Sequence, residues 1–475
     1  MKNRISLLIL LIGQAAGYPG TGPEYDAYFS EGCLRFDFFH TGTAKEECFS
    51  VDETWKEPVW PGSRTNLIDT LNLGEYQVQV FDLKTNALIY SRGFSSIYGE
   101  WQTTGEARKG VRRTFGESVR FPWPKRPVKI TLNSRDRENV YRAADSFIID
   151  PSHPNIRKET GFTGVRASAW MKNGDPGSKV DVVLLPDGYT REETDKFRKD
   201  VDRLVNRLFE DEPFRSRRTD FNVWTVELPS GESGIDDPNA GVYRDNVLSC
   251  SFNSFESDRY MLTWDNKTVR RAAALAPYDE IVILANDKKY GGGGIYNLYA
   301  TCASDNPWSA YVFTHEFGHS FAGLGDEYYT SDVAYLEFYP LDVEPWEANL
   351  TVCTDKSGLK WRDMMEPDVP MPTPWEKETF DAHQAEYNKA RAALRKSGVS
   401  QASVDSLVKV NDKWLQEFLK TRTYSGKVGS FEGAGYSTKG VYRPSVDCRM
   451  FSRSMTPFDP ICRRAIARMI DFLTR

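Results

Sequence analysis

The sequence predicts an α+β/α/β chain: an N-terminal β-sandwich, then a domain in which helices pack on a mixed sheet. Three observations lead there. From Tyr18 to about Asp150, short β-rich runs alternate with turn clusters and show no convincing helix. From Val180 onward, short apolar runs alternate with segments of helical period. Between the two, Pro151-Ser-His-Pro154 sets two prolines around polar residues, as linkers do.

The N-terminal strand candidates are residues 33–39, 76–81, 87–90, 118–121 and 128–132. Apolar and polar residues alternate in them with period 2, between Gly, Pro, Asn and Ser, which is the pattern of a half-buried strand. Several such strands without a helix predict a sandwich over 18–155. Past the linker, 180–185 (VDVVLL), 221–228 (FNVWTVEL) and 280–285 (EIVILA) are further strands. Thr190 and Glu193 form a capping box before Phe197, Val201, Leu204 and Leu208, which share one helical face. A helix is expected near 267–275. The Lys/Glu/Ala-rich stretch 375–421 reads as a helical hairpin broken at Gly398, and Ile461, Ala465, Ile466, Met469 and Leu473 mark an amphipathic C-terminal helix. The second domain therefore spans 156–475, with the hairpin as an insertion.

Composition removes several classes of function. The 475 residues carry 61 Lys+Arg against 67 Asp+Glu, a net charge of −6, so a nucleic-acid binder with a basic stripe is disfavoured. Charged residues at 27% and aromatics at 13% exclude a disordered chain. The one strongly apolar run follows Lys2 and Arg4 and ends at Ala15-Ala16-Gly17, the layout of a cleaved signal peptide over 1–17. It is too short for a transmembrane segment, which needs about 20 apolar residues. Cleavage would remove two positive charges from −6 and leave −8. The expected location is outside the cytoplasm: periplasmic, cell-surface or extracellular.

Seven cysteines leave at least one unpaired. Cys33 with Cys48, and Cys448 with Cys462, are close enough in sequence for local bridges, and buried free thiols fit equally well. There is no CxxC to support a thiolate zinc or redox site.

The chemistry concentrates in 314–329, THEFGHSFAGLGDEYY. His315 and His319 stand four apart and project from one helical face, so two imidazoles can share one zinc ion. Glu316 is placed to act as general base on a water at that ion. Val312, Phe313, Phe317 and Phe321 would bury the helix. Counted from His319, the third-ligand place of the HExxHxxGxxH pattern falls on Gly325, which has no ligand atom. Asp326 is the first choice of third ligand, Glu327 the second, and Glu337 or Glu344 the distant alternatives. The glycines of 291–295 (GGGGI) allow close backbone approach and an exposed strand that could bind an extended peptide. His40, His153 and His383 are assigned structural or solvated places.

HEFGHSFAGLGDEYY resembles the signature of the M64 metallopeptidases, the family named for bacterial IgA peptidases. Glu344-Pro-Trp-Glu, Asn349-Leu-Thr351, Lys360-Trp361, Gly433-Ala-Gly-Tyr436 and Gly440-Val-Tyr-Arg-Pro444 extend the likeness over nearly the whole mature chain. The resemblance implies a secreted zinc metalloendopeptidase of metzincin-like fold, with Zn²⁺ on His315, His319 and Asp326 and with Glu316 as catalytic base. It also implies a methionine turn, for which Met450 is chosen over Met364 and Met365. Tyr442, just before it, is assigned either to the oxyanion or, equally, to core packing. The implied partner is a protein or peptide substrate, a host glycoprotein such as an immunoglobulin among the candidates, although no residue pattern reads out a hinge-cleaving preference. The alternative is a surface or periplasmic module that binds glycan or protein and holds a closed, structural zinc.

Overall fold

The structure is a computed structural model that describes residues 22–475 apart from 159–161, 163, 331–337, 398–400 and 455. The expected signal peptide, Glu337 and the hairpin break at Gly398 lie outside the described residues. The architecture is mixed α/β with several sheets. It opens with strands β1 (Phe29–Gly42), β2 (Glu47–Glu57), β3 (Tyr76–Asp82), β4 (Leu88–Phe94), β5 (Arg113–Pro124), β6 (Val128–Arg135) and β7 (Tyr141–Ile149). They form two antiparallel sheets, ordered β2-β1-β5 and β4-β3-β6-β7. Phe36 of one meets Phe147 of the other at 5.2 Å between ring centroids, within a shared apolar core.

Strand β3 alternates buried and half-buried residues along its whole length, as its period-2 sequence predicts. Strand β1 departs from that expectation, because its polar face is buried too. Arg35 pairs with Asp37 at 2.9 Å and with Glu57 at 3.1 Å, and Glu57 also takes Arg120 at 2.9 Å. The lid over this network comes from far along the chain. Tyr278 donates its hydroxyl to Glu57 at 3.1 Å and accepts Arg120 on its carbonyl at 2.7 Å. Asn266 donates to Ser118 at 2.7 Å. The alternation was therefore a true strand signal, but a second polar surface covers the face it assigned to solvent. Strands β2 and β7 give no such signal, because apolar and polar residues do not alternate regularly in them.

The second half is built on β8 (Arg166–Met171), β9 (Val180–Asp187), β10 (Phe221–Glu227), β11 (Glu280–Ala285), β12 (Gly292–Ile295) and β13 (Tyr299–Ala303). Their order is β12-β13-β11-β9-β10-β8, with a parallel centre and antiparallel strands at both edges. Central β9 is buried at every residue, as a near-continuous apolar run should be when helices cover both faces. Thr190 and Glu193 make the expected capping box ahead of helix Thr194–Leu208. The predicted helix near 267–275 is Asn266–Ala273, and the hairpin is Lys377–Lys396 with Gln401–Lys420. His383 and Trp414 stack across that hairpin at 3.5 Å. A further hairpin, β14 (Phe431–Ala434) with β15 (Ser437–Arg443), precedes helix Pro460–Thr474. The five apolar residues singled out in this last helix are all buried. Its end docks on the N-terminal half, where Asn66 donates to the Phe472 carbonyl at 2.9 Å.

The suggested Cys33–Cys48 bridge is corrected by the β1–β2 register. Cys33 lies opposite Glu57 and Cys48 opposite Thr41, at the two ends of the ladder. All seven cysteines are free thiols.

Candidate metal centre and active site

The motif lies on helix Ser309–Ala322, and the sequence fixes both its burial and its end. Phe317 and Phe321 stack at 5.1 Å and pack on Phe214 at 5.5 and 6.3 Å, so the back of the helix is locked into aromatic core. Gly323 ends it in the left-handed region at φ 60°, returning its N–H to the His319 carbonyl at 2.9 Å. The chain then folds back across the histidines. Asn349 holds that return: it accepts from Gly325 N at 2.8 Å and donates to Gly325 O at 2.9 Å.

The return brings three atoms together. His315 Nε2 and His319 Nε2 are 3.1 Å apart, and Asp326 Oδ1 lies 3.0 Å from the first and 3.2 Å from the second. Each imidazole is oriented from behind. His315 Nδ1 donates to the Arg449 carbonyl at 3.0 Å and His319 Nδ1 to the Leu324 carbonyl at 2.5 Å. A carbonyl only accepts, so both Nδ1 atoms carry a hydrogen, and with the imidazoles neutral both Nε2 atoms present lone pairs. Asp326 Oδ1 is buried and accepts no hydrogen bond. With both imidazoles neutral, a cation among them would satisfy all three converging lone-pair atoms. Ligands at about 2.0–2.1 Å around a tetrahedral ion stand about 3.3–3.4 Å apart, close to the spacing found. The residues therefore fit a metal ion.

The histidines and Asp326 are strongly coupled electrostatically. Burial alone would raise Asp326 and lower His319. Instead the histidines hold Asp326 well below the usual carboxylate range, and Asp326 lifts His319 to about 9. Glu316 faces the same space, half-buried, and burial pushes its carboxyl up while His315 and His319 partly offset the shift. Asp326 Oδ2 accepts the Tyr436 hydroxyl at 2.5 Å.

Of the residues named from sequence, His315, Glu316, His319 and Asp326 all line one cleft of ≈ 1770 Å³. Tyr442 does not line it, which corrects the oxyanion assignment. On β15 its backbone is held between Glu432 and Thr351, with Tyr442 N donating to Thr351 O at 2.8 Å. Glu327 turns away and its Oε1 accepts from Asn349 at 2.9 Å, while Glu344 is paired with Lys360 at 3.1 Å. Met450 is buried under the helix; a Cβ placed on Gly318 would sit 3.1 Å from its sulfur. Met364 and Met365 pack elsewhere, near Leu359 and Trp361. The glycines of β12 serve the helix directly, since a Cβ on Gly294 would stand 2.3 Å from the Glu316 carbonyl. That strand's outer side is partly taken, with Met261 N donating to Gly292 O at 3.2 Å.

A family model described as IgA Peptidase M64 matches residues 169–470, and one described as Peptidase M64 N-terminus matches residues 24–144. The chain belongs to the M64 peptidase family. No curated protein matches it. As an M64 peptidase it acts on protein substrates, and His315, Glu316 and His319 form a cluster that could hold the metal ion of such a metallopeptidase. Sequence reasoning missed Asn349, Tyr436, Tyr328 and Arg259 as parts of the site. The first three stood inside motif blocks that could have flagged them. The Arg449 and Leu324 carbonyls carry no side-chain signal at all.

Proposed function

We propose that this M64 peptidase is an exported, zinc-dependent endopeptidase with His315, His319 and Asp326 as metal ligands and Glu316 as general base. The observation that carries the reading is the convergence of two oriented imidazoles and an otherwise unpartnered carboxylate oxygen at the floor of a cleft. Zinc bound there would supply Lewis acidity and lower the pKa of a water from about 15.7 to about 7. Glu316 takes a proton on its carboxylate from the attacking water and delivers it to the leaving amine. Burial that raises the Glu316 carboxyl makes it a better proton acceptor than an exposed glutamate.

Tyr436 holds Asp326 in register. The oxyanion role passes from Tyr442 to Arg259 and Tyr328, which line the cleft, bonded to each other at 3.3 Å. The cleft exceeds the roughly 300–1,000 Å³ of small-ligand pockets, which suits a polypeptide. Support for a catalytic rather than a closed structural zinc is that all three ligands open onto it. We further propose a sandwich over 18–155 and a metzincin-like catalytic domain over 156–475, with Met450 as its methionine turn. No helix among the described residues is long and apolar enough to cross a membrane.

Glu316→Gln tests the assignment. Casein hydrolysis should fall by about 10²–10⁴-fold with bound zinc unchanged. Hydrolysis at the parental rate would refute the mechanism.

A further inference from the structure

A second group of metal-ligating side chains lies on the far side of the return loop. Glu327, Cys448, Asp459 and Cys462 are all buried, and one ligand atom from each lies within 4.8 Å of all the others. Cys448 Sγ and Cys462 Sγ are 3.8 Å apart, while Cys462 Sγ is 3.3 Å from Glu327 Oε1 and 3.4 Å from Asp459 Oδ2. Zinc bonds of about 2.3 Å to sulfur and about 2.0–2.2 Å to oxygen put tetrahedral edges at about 3.8 Å for S···S and about 3.5 Å for S···O. These three separations lie close to edges of that tetrahedron, and the S···S distance is far from the roughly 2.05 Å of a disulfide.

The surroundings are those of a ligated ion. Cys448 Sγ accepts two backbone N–H groups, from Met450 at 3.5 Å and Asp459 at 3.4 Å, as metal thiolates do. Asp459 Oδ1 accepts Ile461 N at 2.6 Å and Cys462 N at 2.9 Å, which turns Oδ2 toward the cluster. Glu327 is fully buried, and its Oε2 has no hydrogen-bond partner among the described residues. Desolvating two ionised carboxylates without a cation is costly. The buried Arg443 guanidinium, which acts electrostatically on Glu327 and Cys448, and the helix N-terminus at Pro460 offset only part of that charge.

We propose that Glu327, Cys448, Asp459 and Cys462 form a closed, four-ligand structural site for a zinc-class divalent ion. Mixed thiolate and carboxylate donors select such an ion over Ca²⁺ or Mg²⁺. The site ties three segments together behind the catalytic cluster. Glu327 follows the ligand Asp326, and its N–H donates to Met450 O at 2.9 Å. Cys448 precedes Arg449, whose carbonyl orients His315. Asp459 and Cys462 start the C-terminal helix. An ion here therefore fixes Asp326 and the Arg449 carbonyl against that helix, independently of what the catalytic cluster binds.

The test is metal stoichiometry by elemental mass spectrometry on the full chain, with two double variants. The parent should hold two equivalents, Cys448→Ser/Cys462→Ser one, and His315→Ala/His319→Ala one. Loss from the histidine variant reports on the catalytic reading alone, so the two ideas fail separately. Should the cysteine variant not fold, Co²⁺ exchanged into the histidine variant gives a second readout, an intense near-ultraviolet thiolate-to-cobalt absorption. Absence of that band overturns the proposal. So does a non-reduced peptide map that joins Cys448 to Cys462, or a parent whose only metal disappears with the histidines.

Discussion

Replacing Gly294 by alanine asks whether strand β12 sets the position of the helix that carries the proposed catalytic groups. The residue's φ is not positive, so alanine meets no backbone penalty there and the whole effect is steric. Its Cβ would lie 2.3 Å from the Glu316 carbonyl oxygen and 3.0 Å from His319 Cβ, where ordinary contact begins near 3.4 Å. Neither obstacle is the free end of a flexible side chain, so strand and helix must part by about 1 Å. Overpacking of this kind costs about 1–3 kcal/mol, and a displacement of about 1 Å at a catalytic group costs about 10²-fold in rate. Thermal melts and kcat/KM on casein should therefore both fall, the second by about two decades. Gly116→Ala is the control, since nothing lies within 4 Å of its added carbon. Gly292→Ala should behave as Gly294→Ala does in kind, because its Cβ meets Val312 Cγ1 at 2.5 Å and the Thr301 carbonyl at 2.9 Å. If Gly294→Ala melts and turns over like the parent, the strand does not position the helix, and the role given to these glycines is wrong.

Three further outcomes are expected. Asp326→Ala should release the metal from the histidine pair, while Tyr436→Phe should weaken metal binding or activity by about 10–100-fold; competition with a chelator measures both. Glu57→Ala leaves Arg35 and Arg120 buried without their carboxylate and should lower stability by about 3–5 kcal/mol, read from denaturant unfolding. Glu280 is pushed up from 4.5 to about 8 by burial, so the folded chain keeps a proton that the unfolded chain has released. Its stabilising share is present below about pH 4.5 and is lost as pH rises toward 8; melting scans of Glu280→Gln should show a shallower decline over that window than the parent.

Much of the site was legible because its signals are local. His315, Glu316 and His319 need only helical spacing to share a face, and a single helix preserves that relation whatever surrounds it. Gly323 and Gly325 announced a bend, and Asp326 was reachable from that bend. Tyr442 failed for the opposite reason. Its place depended on how β15 pairs with β14 and with Thr351, and proximity in sequence to Met450 says nothing about that pairing. Tyr436, at the turn before β15, reaches Asp326 instead.

The polar face of β1 shows the same limit. Arg35 and Asp37 alternate with Phe36 and Phe38 as a solvent face would, and only Tyr278 and Asn266, brought from far along the chain, bury them. The cysteines divide likewise: Cys33 and Cys48 were separated by strand register, while Cys448 and Cys462 were brought together with Glu327 and Asp459 by a loop and a helix start. Sequence alone determined the more regular elements, the motif helix and the face that its two histidines share, because periodicity and capping act over one or two turns. Tertiary structure decided which second-sphere groups orient the imidazoles and which acids face each cluster. Those depend on backbone carbonyls and distant side chains, whose meeting is set by packing rather than by any local pattern.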